Sequence, residues 1–225
     1  GRVAAEGLVG VAVLEQAAAI VEINSETDFV ARNDSFQALV QSVAVVSLES
    51  GGDYVGTLGT TYPGESRTVS EQVQHMVSTI GENIQFRRSA GLSVTAGIVA
   101  SYMHNAVVPN LGKIGVLVAL ESDGDTEKLI ALGRQIAMHV AAANPLSLSV
   151  ESLDPVVVER ERTVLAEQAR ESGKTEEIIA KMTEGRLRKF YEEAVLNEQV
   201  FVVDGETKIS KVVERAAEDV GADIK

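Results

Sequence analysis

The sequence predicts an α+β fold: two similar subdomains, each a small antiparallel sheet packed with helices, plus a protruding antiparallel helical hairpin. Three observations carry that prediction. Short valine- and isoleucine-rich runs alternate with stretches of helical period over the first 150 residues or so. Two of these runs, Ala19-Ile20-Val21-Glu22-Ile23-Asn24 and Gly115-Val116-Leu117-Val118-Ala119-Leu120, each lead into a capped amphipathic segment, a weak internal duplication. Two long charged helical segments then follow with only Ser172-Gly173 between them, the mark of a helical hairpin.

Residues 1–24 favour two strands joined by a tight turn, with glycines at 7 and 10. Asn33-Asp34-Ser35 is a capping signal, and Phe36, Leu39, Val40, Val43 and Val46 after it recur at helical spacing, so this helix should cover those strands. Residues 50–64 read as an irregular loop, and Thr68-Val69-Ser70-Glu71 as a capping box opening a helix that Gly81 ends. Residues 83–89, 94–104 and 113–122 are extended stretches separated by turn signals, expected to form a second antiparallel sheet. Asp125 caps a helix whose Leu129, Ile130, Leu132, Ile136, Ala137, Val140 and Ala141 should cover that sheet. The hairpin starts at Asp154-Pro155, with Val158, Leu165 and Ala169 on one side, and returns through Ile178, Ile179, Met182, Phe190 and Ala194. Residues 199–203 read as a strand and 209–220 as a last helix. The expected division is an N-terminal core subdomain (1–82), a C-terminal core subdomain (83–152), the hairpin (153–198) and a returning strand and helix (199–225).

Composition bounds the function. Asp+Glu 33 against Lys+Arg 20 gives a net charge of -13, which repels phosphate backbones and suits a protein partner with basic surfaces rather than nucleic acid. The densest basic cluster, Arg186-Leu187-Arg188-Lys189, lies among glutamates, as on a solvated helix face. Without cysteine there is no disulfide, thiolate nucleophile or Cys-based zinc site. Residues 89–112 carry no charge, but glycines, serines and Pro109 interrupt them, so a soluble sheet is the reading rather than a membrane span. The start lacks the layout of a secretory signal, and Gly1 in place of an initiator Met suggests a missing front end.

Several motifs fail on inspection. Gly173-Lys174-Thr175 imitates the end of a phosphate loop, yet Gln168 occupies the glycine position. Asp123-Gly124-Asp125 lacks a glycine at the sharp turn of a calcium loop, which is Lys128. His75, His104 and His139 have no metal-ligand spacing, and no serine has a nucleophile context. No catalytic centre, metal site or cofactor site is expected.

The most telling stretch is Glu22-Ile23-Asn24-Ser25-Glu26-Thr27-Asp28-Phe29-Val30-Ala31-Arg32-Asn33, which places a carboxylate beside an aromatic ring just before a helix. On residue type alone, Thr27 and Asp28 are helix caps and Phe29 a core ring. With Ile80-Gly81-Glu82-Asn83-Ile84, Phe86-Arg87-Arg88, Gly112-Lys113-Ile114-Gly115-Val116-Leu117-Val118, Ile136-Ala137-Met138-His139-Val140-Ala141-Ala142 and Lys181-Met182-Thr183-Glu184-Gly185-Arg186, it resembles the translation elongation factor Ts family over nearly the whole chain. The resemblance implies a guanine-nucleotide exchange factor, not an enzyme of covalent chemistry, that binds elongation factor Tu in GDP-bound and nucleotide-free states. A scaffold that binds elongation factor Tu without exchange is the alternative. By resemblance the contact residues are Thr27, Asp28, Phe29 and Val30, then Ile114 and Gly115, then Met138 and His139, with Asp28 and Phe29 as the lever. The hairpin resembles the family's coiled-coil module, a further partner contact or a homodimer contact. The family also implies the bacterial cytoplasm or an organellar matrix, and a small helical domain ahead of Gly1.

Overall fold

A computed structural model describes residues 3–225. It is a mixed helix and antiparallel-sheet protein, as predicted. Its packing falls into two units, Gly1–Ala141 with Ala217–Lys225, and Ala142–Ala216.

In the first unit, β1 (Glu6–Val13) and β2 (Ala17–Ser25) form the expected hairpin, with Leu8 opposite Ile23 and Gly10 opposite Val21. A 3-10 turn (Asp28–Arg32) then leads into α1 (Asp34–Glu49). Asn33 caps α1, its side-chain oxygen accepting from the Phe36 N–H at 3.0 Å, which satisfies one of the donors a helix start leaves open. Phe36, Leu39, Val40 and Val43 are fully buried against Leu8, Val21 and Ile23. Each such side chain stabilises the unit by about 2 kcal/mol relative to exposure, which ties α1 to the hairpin.

The segment at 50–64 is more ordered than its glycines suggest. It holds α2 (Tyr54–Gly59), capped by Asp53, whose carboxylate accepts from the Gly56 N–H at 2.6 Å. Tertiary contact supports so short a helix: the Tyr54 hydroxyl donates to the Phe86 carbonyl at 2.9 Å, and the two rings lie 4.9 Å apart. Next comes α3 (Val69–Ile80), which carries the predicted capping box between Thr68 and Glu71 and ends on a left-handed Gly81.

The sheets are apportioned differently from the expected three-stranded second sheet. β3 (Gln85–Ser93) pairs with β2, setting Ile20 opposite Ala90 and Ile23 opposite Phe86, so that Phe86 enters the first core. β5 (Leu111–Gly112) adds to the other edge, and the first sheet runs β3-β2-β1-β5. The second sheet is β4 (Gly97–His104) with β6 (Ile114–Glu121). α4 (Thr126–Ala143) covers it with Leu129, Leu132, Ile136 and Ala137, as its stripe predicted. Asp125 opens α4 by accepting from the Lys128 N–H at 3.0 Å. At the chain end, Lys225 exchanges both backbone hydrogen bonds with Glu121, extending this sheet by a short pairing.

In the second unit, α5 (Pro155–Arg170) and α6 (Glu176–Ala194) make the predicted hairpin. Asp154 caps α5 one residue before its proline, and the hairpin buries Ala169 of α5 and Ile179, Thr183, Leu187 and Ala194 of α6. Residues 199–203 are not a strand. Val200 makes one isolated bridge to Lys208, and the chain turns through Gly205 while the Asp204 carboxylate accepts from the N–H groups of Glu206 and Thr207. An apolar run with no neighbouring strand has no ladder to join. α7 (Ile209–Val220) closes the order of elements.

Candidate functional site

The corner between β2 and α1 is braced from both sides. The Ser25 hydroxyl donates to the Thr27 carbonyl at 2.9 Å. Glu82, just past α3, accepts from the Thr27 N–H at 3.0 Å and from its hydroxyl at 2.6 Å. In return the Glu26 carboxylate accepts from the Asn83 N–H at 2.9 Å. Two carboxylates from segments more than fifty residues apart thus clamp the turn, and charge-assisted bonds of this kind are roughly twice as strong as neutral ones. Thr27 therefore caps no helix, because its hydroxyl is spent on Glu82.

The turn itself is pinned from beneath. Val30 is 5% exposed and belongs to the first core, so it anchors the corner and offers no free surface. Its carbonyl accepts from the Asn33 N–H at 2.9 Å, and the Ala31 carbonyl accepts from the Gln37 side chain at 2.8 Å. Between these fixed points Phe29 is 83% exposed. A large apolar side chain is held in water by its neighbours, ready to be buried by something else.

Asp28 is exposed beside it and pairs with Lys113. The hydrogen bond from Lys113, reinforced by its charge and by that of Arg32, holds the Asp28 carboxyl below the usual aspartate range. The same ammonium donates to the Gly7 carbonyl at 3.0 Å and lies 3.7 Å from Glu6. Asp28 is therefore an ion-pair member and not a helix cap.

Lys113 directly precedes Ile114, which is 44% exposed at the start of β6. Gly115 follows. A Cβ there would come within 2.7 Å of the Ile20 side chain and 2.8 Å of Val9, so its missing side chain lets β6 lie close to the first sheet. An open cleft of about 400 Å³ runs along this junction, lined by Val9, Ile20, Glu22, Arg88, Lys113 and Ile114 among others. Partial burial pushes the Glu22 carboxyl up, but hydrogen bonds from Arg88 and Asn24 and the charges of Arg88 and Arg87 outweigh it, and the net shift is downward.

Thr27, Asp28 and Phe29 thus share one corner, which Lys113, the residue before Ile114 and Gly115, ties to the start of β6. Met138 and His139 lie on α4 instead. Met138 is 37% exposed, whereas His139 falls on the stripe of Leu132 and Ile136 and is 0% exposed. Its ring packs inward and presents no surface. Glu26, Glu82 and Lys113 complete the site, although no role was expected of them. All three stood inside the blocks that carry the family resemblance, but a carboxylate's partner 55 positions away leaves no local signal. No group of three or more histidines or carboxylates that could hold a metal is found among the described residues. Nor is any helix among them long and apolar enough to cross a membrane.

A sequence model of the family described as elongation factor TS matches residues 26–224, beginning at this corner. The chain belongs to the elongation factor Ts family, whose members are factors of translation. Similar proteins described as elongation factor Ts come from Rhodospirillum centenum, 61% identical over 225 residues, and Rhodospirillum rubrum, 60% identical over 226. A third, from Parvibaculum lavamentivorans, is 56% identical over 224 residues. Each alignment covers 100% of this chain and 73% of the relative.

Proposed function

We propose that this chain is a guanine-nucleotide exchange factor that binds elongation factor Tu and promotes release of its GDP. The observation that supports this most is the 83% exposure of Phe29 on a clamped corner. GDP in a GTPase is held by a magnesium charge and a cradle of backbone N–H groups, so a ring wedged between the supporting elements weakens both without touching the base. Burying one phenylalanine ring is worth about 2 kcal/mol, and a tenfold weakening of GDP requires about 1.4 kcal/mol of differential contact. One ring therefore accounts for roughly one decade of the effect. Asp28, Thr27, Ile114, Gly115 and Met138 supply further contact in this reading.

By thermodynamic reciprocity, a factor that binds empty partner more tightly than GDP-loaded partner makes GDP bind the complex more weakly by the same ratio. No covalent step is involved, and incoming GTP expels the factor. Family membership supports action in the compartment of translation, the cytoplasm of a bacterium. The test is to assemble the protein with nucleotide-free elongation factor Tu on a sizing column and then add GDP. Dissociation is the expected result. A complex that survives GDP and leaves its release rate unchanged belongs to a binding scaffold and would overturn the proposal.

A further inference from the structure

We infer that Lys113 is a positioning residue for the Asp28-Phe29 corner, holding the ring at its working angle and locking that corner to the Ile114-Gly115 strand start. This inference rests on the exchange reading above. Lys113 is itself rigidly placed. On one side β5 pairs with β1, Gly112 opposite Val9, and on the other β6 begins at once. Its own N–H donates to the His104 carbonyl at 3.3 Å. From this fixed base the ammonium, which has three donors to place, reaches Asp28, the Gly7 carbonyl and, less closely, Glu6. Gly7 faces Asn24 across the hairpin, so the three attachments join the entry of β1, the exit of β2 and the start of β6.

The electrostatics give the tie a direction. Glu6 and Asp28 both lie within 4 Å of the one ammonium, and Arg32 is the other cation that acts on Asp28. Removing the Lys113 charge leaves two carboxylates facing each other, and their repulsion drives Asp28, with Phe29 attached, away from β1. Val30 stays in the core, while the bonds of Thr27 to Glu82 and of Asn33 to Val30 open more often, so the expected change is a loosened corner and not a lost fold.

The experiment compares Lys113→Met and Lys113→Arg in the full chain. In the free protein, amide hydrogen exchange at Thr27 and Asn33 should quicken about fivefold in Lys113→Met and stay near the parent rate in Lys113→Arg, with the melting curve of both variants little changed. In GDP release from elongation factor Tu at saturating factor, Lys113→Met should be slowed about fivefold, and Lys113→Arg should recover most of that loss. Combined with Phe29→Ala, Lys113→Met should add clearly less than its own fivefold loss, because the ring it positions is gone. Losses that multiply would make Lys113 an independent partner contact and overturn the inference, as would unchanged amide exchange or unchanged release in Lys113→Met. If the parent protein fails to accelerate GDP release, the exchange reading falls, while the amide measurement still decides whether Lys113 holds the corner.

Discussion

Phe29 stands exposed on a turn that other residues fix: Val30 buried in the core, Glu82 gripping Thr27, and Lys113 holding Asp28. Glu82→Ala deletes the acceptor of two hydrogen bonds at a half-buried place, and should cost about 1–2 kcal/mol, read as a lower urea midpoint at unchanged slope. Asp28 makes a separate pH prediction. Its carboxyl is held below the ordinary value of 3.8 by Lys113, so the folded form binds its proton more weakly than the unfolded form. The tie is then fully present above the unfolded value and is lost only as pH falls through the lower folded one. A carboxyl NMR titration should place the Asp28 midpoint below 3.8, and a midpoint at or above it would contradict the ion pair. The sequence displayed the residues of this corner but not their duties. Residue type made Thr27 and Asp28 caps, whereas partners 55 and 85 positions away claim both side chains, and such pairings have no periodic trace.

Elements that organise themselves were legible. The capping box at Thr68, the stripe of α1 and the hairpin break at Ser172-Gly173 all stand where local spacing put them. Elements whose identity depends on a partner were not. β3 carries Arg87 and Arg88 and joins the first sheet because Phe86 and Ala90 match β2, while the apolar run at 199–203 pairs through one isolated bridge and turns back on itself. Close packing between β6 and the first sheet gives a sharp prediction. Gly115→Ala places a methyl group within 2.8 Å of Ile20 and Val9, and should destabilise the first unit by about 1–3 kcal/mol in equilibrium unfolding. Thr68→Ala removes the cap of α3 and should cost about 1 kcal/mol by the same measurement.

At the scale of the molecule, a net charge of -13 favours encounter with a basic partner surface. Raising ionic strength should therefore slow association with elongation factor Tu more than dissociation, a difference stopped-flow binding separates. A screened long-range field does not loosen a nucleotide. That work is assigned to one aromatic ring in water on a braced corner. Release of fluorescent GDP from elongation factor Tu, timed with the parent protein and with a folded Phe29→Ala variant, tests this assignment most directly. The parent should accelerate release, and the variant should lose at least about tenfold of that acceleration at equal melting temperature. Equal acceleration by both proteins would contradict it.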